Sequence, residues 1–151
     1  MMKVTNNIYT IGFTHKTAEE FFTILKKSGT STLIDVRLNN TSQLAGFSKY
    51  PDIKFFLEQI CNIKYIHDVK FAPEESTLSL YKKKQINWDE YVVQFEATME
   101  KRKITEYISK NYNINDNICL LCSEPTPEKC HRRLVANYFK YVFSELQIIH
   151  L

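Results

Sequence analysis

The sequence predicts an α/β domain with a mostly parallel sheet of four or five strands flanked by helices, Rossmann-like in layout. Three observations predict it. Short runs of β-branched and aromatic residues at 8–12, 33–37, 63–67 and 117–122 alternate with segments of helical periodicity. The apolar run in Leu33-Ile34-Asp35-Val36-Arg37 suggests a strand buried on both faces, and another apolar run ends in Cys122. A strand, a helix of about a dozen residues and a second strand make a right-handed parallel crossover the default. No Gly-rich run follows Gly12, where the chain reads Phe-Thr-His, and there is no Walker-type loop. Dinucleotide and P-loop chemistry lose their main support, and no cofactor is expected.

Each element has its own signals. Residues 8–12 form a first strand ending at Gly12. Thr17-Ala18-Glu19-Glu20 has the form of a capping box, with Phe21, Phe22, Ile24 and Leu25 as the stripe of the helix it opens and Ser28-Gly29 as its stop. The strand at 33–37 leads into a long polar loop at 38–50, a length common in functional loops. Pro51 opens a helix expected to bury Phe55, Phe56, Leu57 and Ile60. After the strand at 63–67, a short helix is expected over 75–84. Asn87, with Glu90 three residues on, caps a longer helix. Its stripe runs through Tyr91, Val92, Phe95 and Met99 and on through Ile104, Tyr107 and Ile108, predicting one helix to about residues 111–115. The fourth strand ends at Cys122. Thr126 as N-cap and Pro127 at the first helical position predict a last helix with Leu134, Val135, Tyr138, Phe139 and Val142 on its apolar face. Residues 146–151 read as a final strand at the sheet edge.

Composition sets bounds on function. A chain of 151 residues with 44% hydrophobic and 25% charged residues fits one domain spanning 1–151. Three Gly and four Pro exclude a low-complexity chain. The net charge of +3 permits an anionic partner without demanding one. The basic clusters at 82–84 and 101–103 read first as solvated faces and second as a nucleic-acid patch. No basic segment followed by an apolar run opens the chain, and no stretch is long enough to span a bilayer. A cytoplasmic protein without membrane contact is expected, its four cysteines (Cys61, Cys119, Cys122, Cys130) reduced.

Chemistry concentrates at 118–133. In an open parallel sheet, ligands bind beyond the carboxyl ends of the strands. Those ends offer His15 after the first strand, Arg37 after the second, Tyr65 and His67 in the third, and Cys122 with Glu124 after the fourth; Cys130, His131 and Arg132 follow. Arg37 and Arg132 are candidate anion binders, with His15, Tyr65 and His67 beside them. A plain ion pair of Arg37 with Asp35 has similar weight. Glu124 and His131 are candidate acid/base groups, and Cys122 and Cys130 candidate nucleophiles. Cys119, three residues before Cys122 on a strand, points to the other face as core. A metal set of Cys119, Cys122, Cys130 and His131 is disfavoured, because the strand splays the first pair and neighbours on a helix diverge by roughly 100°; no metal is expected.

Several stretches together resemble the domain of unknown function 488 family. They are Tyr9-Thr10-Ile11-Gly12-Phe13, Ile34-Asp35-Val36-Arg37, Tyr65-Ile66-His67, Phe71-Ala72-Pro73, Trp88-Asp89-Glu90-Tyr91, and Cys122-Ser123-Glu124 through Cys130-His131-Arg132. The resemblance runs from about residue 8 to 140 and implies a compact α/β domain. Some members carry a Leu-Gly-Gly-like turn after the position of His67, where this chain has Asp68-Val69-Lys70. The family brings no established reaction, only loose links to nucleotide or nucleic-acid metabolism. The expected function is an enzyme or ligand-binding domain with a nucleotide- or phosphate-like anion site at the carboxyl edge of the sheet. A nucleic-acid- or protein-binding module without catalysis is the alternative. A rhodanese-like cysteine transferase is weaker, because Cys122 and Arg132 lie too far apart for a compact phosphate loop.

Overall fold

The computed structural model describes residues 6–41, 46–124 and 127–151. Its strands are β1 (Asn7–Gly12), β2 (Thr32–Asp35), β3 (Lys64–His67), β4 (Ile118–Cys122) and β5 (Gln147–His150). They form one sheet in the order β3-β2-β4-β1-β5. Every neighbouring pair is parallel. The α/β class, the parallel sheet and the edge position of the last strand are as the sequence predicts. β4 lies at the centre with all five residues buried, which is why its run is apolar throughout.

Helices cover both faces. On one side α1 (Ala18–Ser28) and α2 (Asp52–Phe55), the latter continued by a π turn over Phe56–Ile60, close a core of Ile11, Phe21, Leu25, Leu33, Ile53, Leu57, Cys119 and Leu121. On the other, α4 (Trp88–Lys101), α5 (Ile104–Asn111) and α6 (His131–Val142) close a core of Ile34, Val36, Phe95, Met99, Ile108, Leu120, Cys122, Val135 and Phe139. A short α3 (Glu75–Lys82) packs on α4. Caps follow the sequence signals. The Thr17 hydroxyl accepts from Glu20 N at 3.1 Å, and Asn87 and Glu90 complete a reciprocal capping box.

Three helix expectations are corrected. The segment after Pro51 buries Ile53 and Leu57, leaving Phe55 58% and Ile60 63% exposed. Apolar residues occupy several phases of that helix, so periodicity does not choose among them, and the π turn rotates Ile60 away from the sheet. The long helix after Asn87 is broken at Lys103, whose φ is 53°. Next to the break, Arg102 Nη1 donates to the carbonyls of Val69, Lys70 and Ala72 at 3.3, 3.0 and 2.6 Å. The last helix begins at His131, not Pro127. Pro127 belongs to a turn closed by Cys130 N on the Pro127 carbonyl at 3.3 Å, and Thr126 lies outside the described residues.

Candidate functional site

The topology decides where side chains can meet. β1 and β2 flank β4, so the segments leaving the carboxyl ends of all three converge. α1 leaves β1 toward one face and α6 leaves β4 toward the other, and a crevice opens between diverging connections. A cavity of about 560 Å³ lies there. Its walls come from Phe13 to Lys16 after β1, Arg37 to Asn39 after β2, Cys122 to Glu124 after β4, Lys129 to His131, and Tyr81, Lys82, Trp88 and Tyr91 of α3 and α4.

Its most ordered part is a sulfur–imidazole cluster. Cys122, Cys130 and His131 are all buried, and their sulfur and nitrogen atoms lie within 4.8 Å of one another. Cys130 has extended backbone (φ −136°, ψ 136°), just outside α6. It therefore escapes the divergence that separates neighbours within a helix, and both its thiol and the next ring reach Cys122. His131 Nε2 bonds the Val36 carbonyl at 2.7 Å, so that nitrogen carries the proton. Nδ1 then faces Cys122 Sγ at 3.5 Å. The ring packs on Phe95, centroids 5.6 Å apart.

The two thiols are unequal. Cys122 has its pKa lowered by a hydrogen bond from the Cys130 thiol, against the opposing effect of burial, with help from the Ser123 amide and Arg132. Cys130, as donor to Cys122 and buried, is raised well above the usual thiol value. Cys119 faces the other core, and burial raises it too. Such a floor offers either a thiolate nucleophile beside an oriented imidazole or a set of soft metal donors.

Arg37 forms the ion pair with Asp35 and also borders the cavity. Its Nε and Nη2 hold Asp35 Oδ1 and Oδ2 at 2.8 and 2.7 Å, and the side chain also lines the cavity. Burial alone would depress its pKa, but the bond and charge of Asp35 leave it raised. Its guanidinium also lies over the Phe13 ring, 5.1 Å from the centroid. Tyr65 donates to Asp35 Oδ2 at 2.6 Å and accepts from Asn40 at 3.0 Å. His67 Nε2 bonds the Arg37 carbonyl at 2.7 Å. Tyr65 and His67 therefore hold Asp35 and Arg37 in place from outside the cavity lining.

Arg132 also lies outside the lining. It is fully buried and reaches the other way, with Nε donating to Thr10 Oγ1 at 3.3 Å and Nη1 to the Glu124 carbonyl. Gly12 makes this possible: a Cβ there would come within 1.6 Å of that carbonyl oxygen and 2.7 Å of Nη1. Glu124 itself is exposed and borders the cavity, as does His15, held at φ 63°.

Sequence reasoning missed Lys16, Lys82, Lys129 and an aromatic wall. Trp88 and Tyr91 stack with centroids 5.0 Å apart and planes 15° from parallel, and Tyr81 lies 5.1 Å from Tyr91. The signal for Trp88 was its place directly after the N-cap Asn87, where a residue is presented at a helix end; that for Lys82 was the basic cluster at 82–84, and nothing local marked Lys16 or Lys129. Of the two basic clusters, Lys82 borders the cavity and Arg102 is engaged with backbone carbonyls. No helix of the described residues is long and apolar enough to cross a membrane.

A family model described as "Domain of unknown function DUF488" matches residues 17–139. No curated protein and no solved structure matches the chain.

Proposed function

The chain belongs to the family of the domain of unknown function DUF488, and we propose that it is an enzyme acting on a small anion that carries a flat ring, of nucleotide type, bound in the cavity at the carboxyl ends of β1, β2 and β4. The observation that carries this reading is the make-up of the walls. Four cationic residues (Lys16, Arg37, Lys82, Lys129) and two imidazoles (His15, His131) line the cavity, with one carboxylate, Glu124, among the described residues. Like charges gathered in a concave, partly apolar site focus a field that attracts an anion. Beside Lys82, the partly exposed rings of Tyr81 and Trp88 also line the cavity, and a planar base gains roughly 1–3 kcal/mol by stacking on such a ring.

In this reading Arg37, already fixed by Asp35, and the neighbouring lysines hold the charged group. The ring lies against Trp88, and the reacting atom is presented to the Cys122–Cys130–His131 floor. Glu124 stands at the rim, within reach of solvent, as the candidate proton carrier.

Calorimetric titration with nucleoside mono-, di- and triphosphates at low salt, followed by product analysis, tests it. At least one of these ligands should bind, Trp88→Ala and Lys82→Ala should each weaken it about tenfold, and affinity should fall with added salt. Absence of binding across the panel at low salt would sink the reading.

A further inference from the structure

The floor of the cavity has more order than an anion pocket requires. We propose that Cys122 Sγ, Cys130 Sγ and His131 Nδ1 form a three-donor site for a soft divalent cation of the zinc class, reached from the cavity. Three independent features of the cluster support it.

The first is the tautomer of His131. Its Nε2–H is committed to the Val36 carbonyl at 2.7 Å, which leaves the Nδ1 lone pair turned toward the sulfurs. A carbonyl on the far nitrogen is the usual support of a metal-bound imidazole. The second is spacing. Bonds of about 2.3 Å to sulfur and about 2.0–2.1 Å to nitrogen, at tetrahedral angles, place the two donors about 3.5 Å apart. Cys122 Sγ and His131 Nδ1 are 3.5 Å apart, and all three donor atoms fall within 4.8 Å. The third is charge. Arg132 is fully buried with no carboxylate pairing it among the described residues. Its Nη1 lies 3.9 Å from Cys130 Sγ, and its Nη2 has no hydrogen-bond partner among them. Metal binding displaces the thiol protons, and this guanidinium then lies beside a sulfur that has become thiolate. Two thiolates, one neutral imidazole and a divalent ion sum to zero, so binding the ion with release of the two thiol protons leaves the buried cluster neutral.

The set differs from the one the sequence suggested. Cys119 is excluded by the strand, as expected, but the extended backbone at Cys130 removes the objection to adjacent ligands. Three protein donors suit a zinc ion that keeps a further position for water or substrate. All three residues border the cavity, so that position belongs to the proposed ligand. This last point rests on the anion reading, whereas the metal site does not.

The test is metal content and cobalt spectroscopy. Protein purified without added metal should carry about one zinc per chain by mass spectrometry. After chelation, cobalt(II) should restore about one equivalent, with thiolate charge-transfer absorption and the intense visible bands of a tetrahedral ion. Cys122→Ser, Cys130→Ser and His131→Ala should lose or weaken the metal by at least tenfold, while Cys61→Ser and Cys119→Ser keep it. Bound zinc should also protect Cys122 and Cys130 of the wild-type protein from alkylation, a readout that needs no variant. Zinc-free protein whose cobalt titration shows no thiolate band would overturn the proposal. The two readings fail separately: nucleotide binding without a cobalt band removes the metal, and a cobalt band without nucleotide binding removes the anion.

Discussion

At the scale of single residues, the Cys122–Cys130 pair shows how burial and hydrogen bonding act in opposite directions. Burial disfavours a thiolate, yet Cys122 is pushed down because Cys130, Ser123 and Arg132 all favour its charged form. The sign for pH follows. A depressed thiol pKa in the fold means that metal-free Cys122 gains reactivity at a pH below the ordinary thiol value of about 8.5. Its contribution to stability is present above that value and lost as pH falls through the folded pKa. The rate of iodoacetamide capture of Cys122 in chelated protein, followed by peptide mass spectrometry, should show that early midpoint. Cys130→Ala removes the donor and should move the midpoint upward; an unmoved midpoint would show that the Cys130 thiol does not set it. Asp35 and Arg37 make the complementary point. One guanidinium can be both ion pair and cavity wall, because it presents five donors and Asp35 uses two of its nitrogens.

At the scale of elements, the site depends on how closely segments approach. The end of β1 meets the turn after β4 and the first turn of α6 at Gly12. A methyl group there must displace the Glu124 carbonyl or Arg132. Gly12→Ala should therefore cost about 1–3 kcal/mol, the range for overpacking a filled interior. Urea denaturation at neutral pH measures it, and an unchanged midpoint would mean the turn relaxes freely. The break between α4 and α5 belongs to the same scale. The apolar stripe from Tyr91 to Ile108 is continuous in sequence, and nothing local stops the helix at Lys103. The three carbonyls of the 69–72 turn, which need donors, are capped by Arg102 beside the break.

At the scale of the whole molecule, tyrosine hydroxyls tie distant segments through buried carboxylates. Tyr107 and Tyr112 both donate to Asp68, at 2.7 and 2.6 Å, joining the α5 region to the turn after β3. Tyr65 does the same for β3 and Asp35. Burial first, and these carboxylates second, push Tyr107 up to about 12 and Tyr65 and Tyr112 higher still. Unfolded tyrosine loses its proton near pH 10. Above that pH the unfolded chain releases protons that the folded chain retains, so stability is full below about 10 and declines as pH rises through the folded values. The urea midpoint should fall between pH of about 9 and about 11, and less steeply in Tyr112→Phe; parallel curves for the two proteins would contradict this.

Much of this was legible in the amino-acid sequence alone. The strands, their burial, the caps at Thr17 and Asn87, the edge position of β5 and the convergence of Cys122, Arg37 and His15 at one sheet edge follow from local patterns and from one rule about parallel sheets. Those signals lie within a few residues of the features they specify, or in a topology with few alternatives. Only the tertiary structure decided which reactive groups share a cavity. It turned Arg132 toward Thr10 and the Glu124 carbonyl, set Tyr65 and His67 behind Asp35 and Arg37, and brought Lys82, Trp88 and Tyr91 across from α3 and α4. It also joined Cys130 and His131 to Cys122 through an extended residue that helix periodicity does not foresee. The physical reason is range: backbone preference acts along the chain, whereas a guanidinium, an imidazole or a ring is directed by whichever donors, acceptors and apolar surfaces the fold brings within a few ångströms.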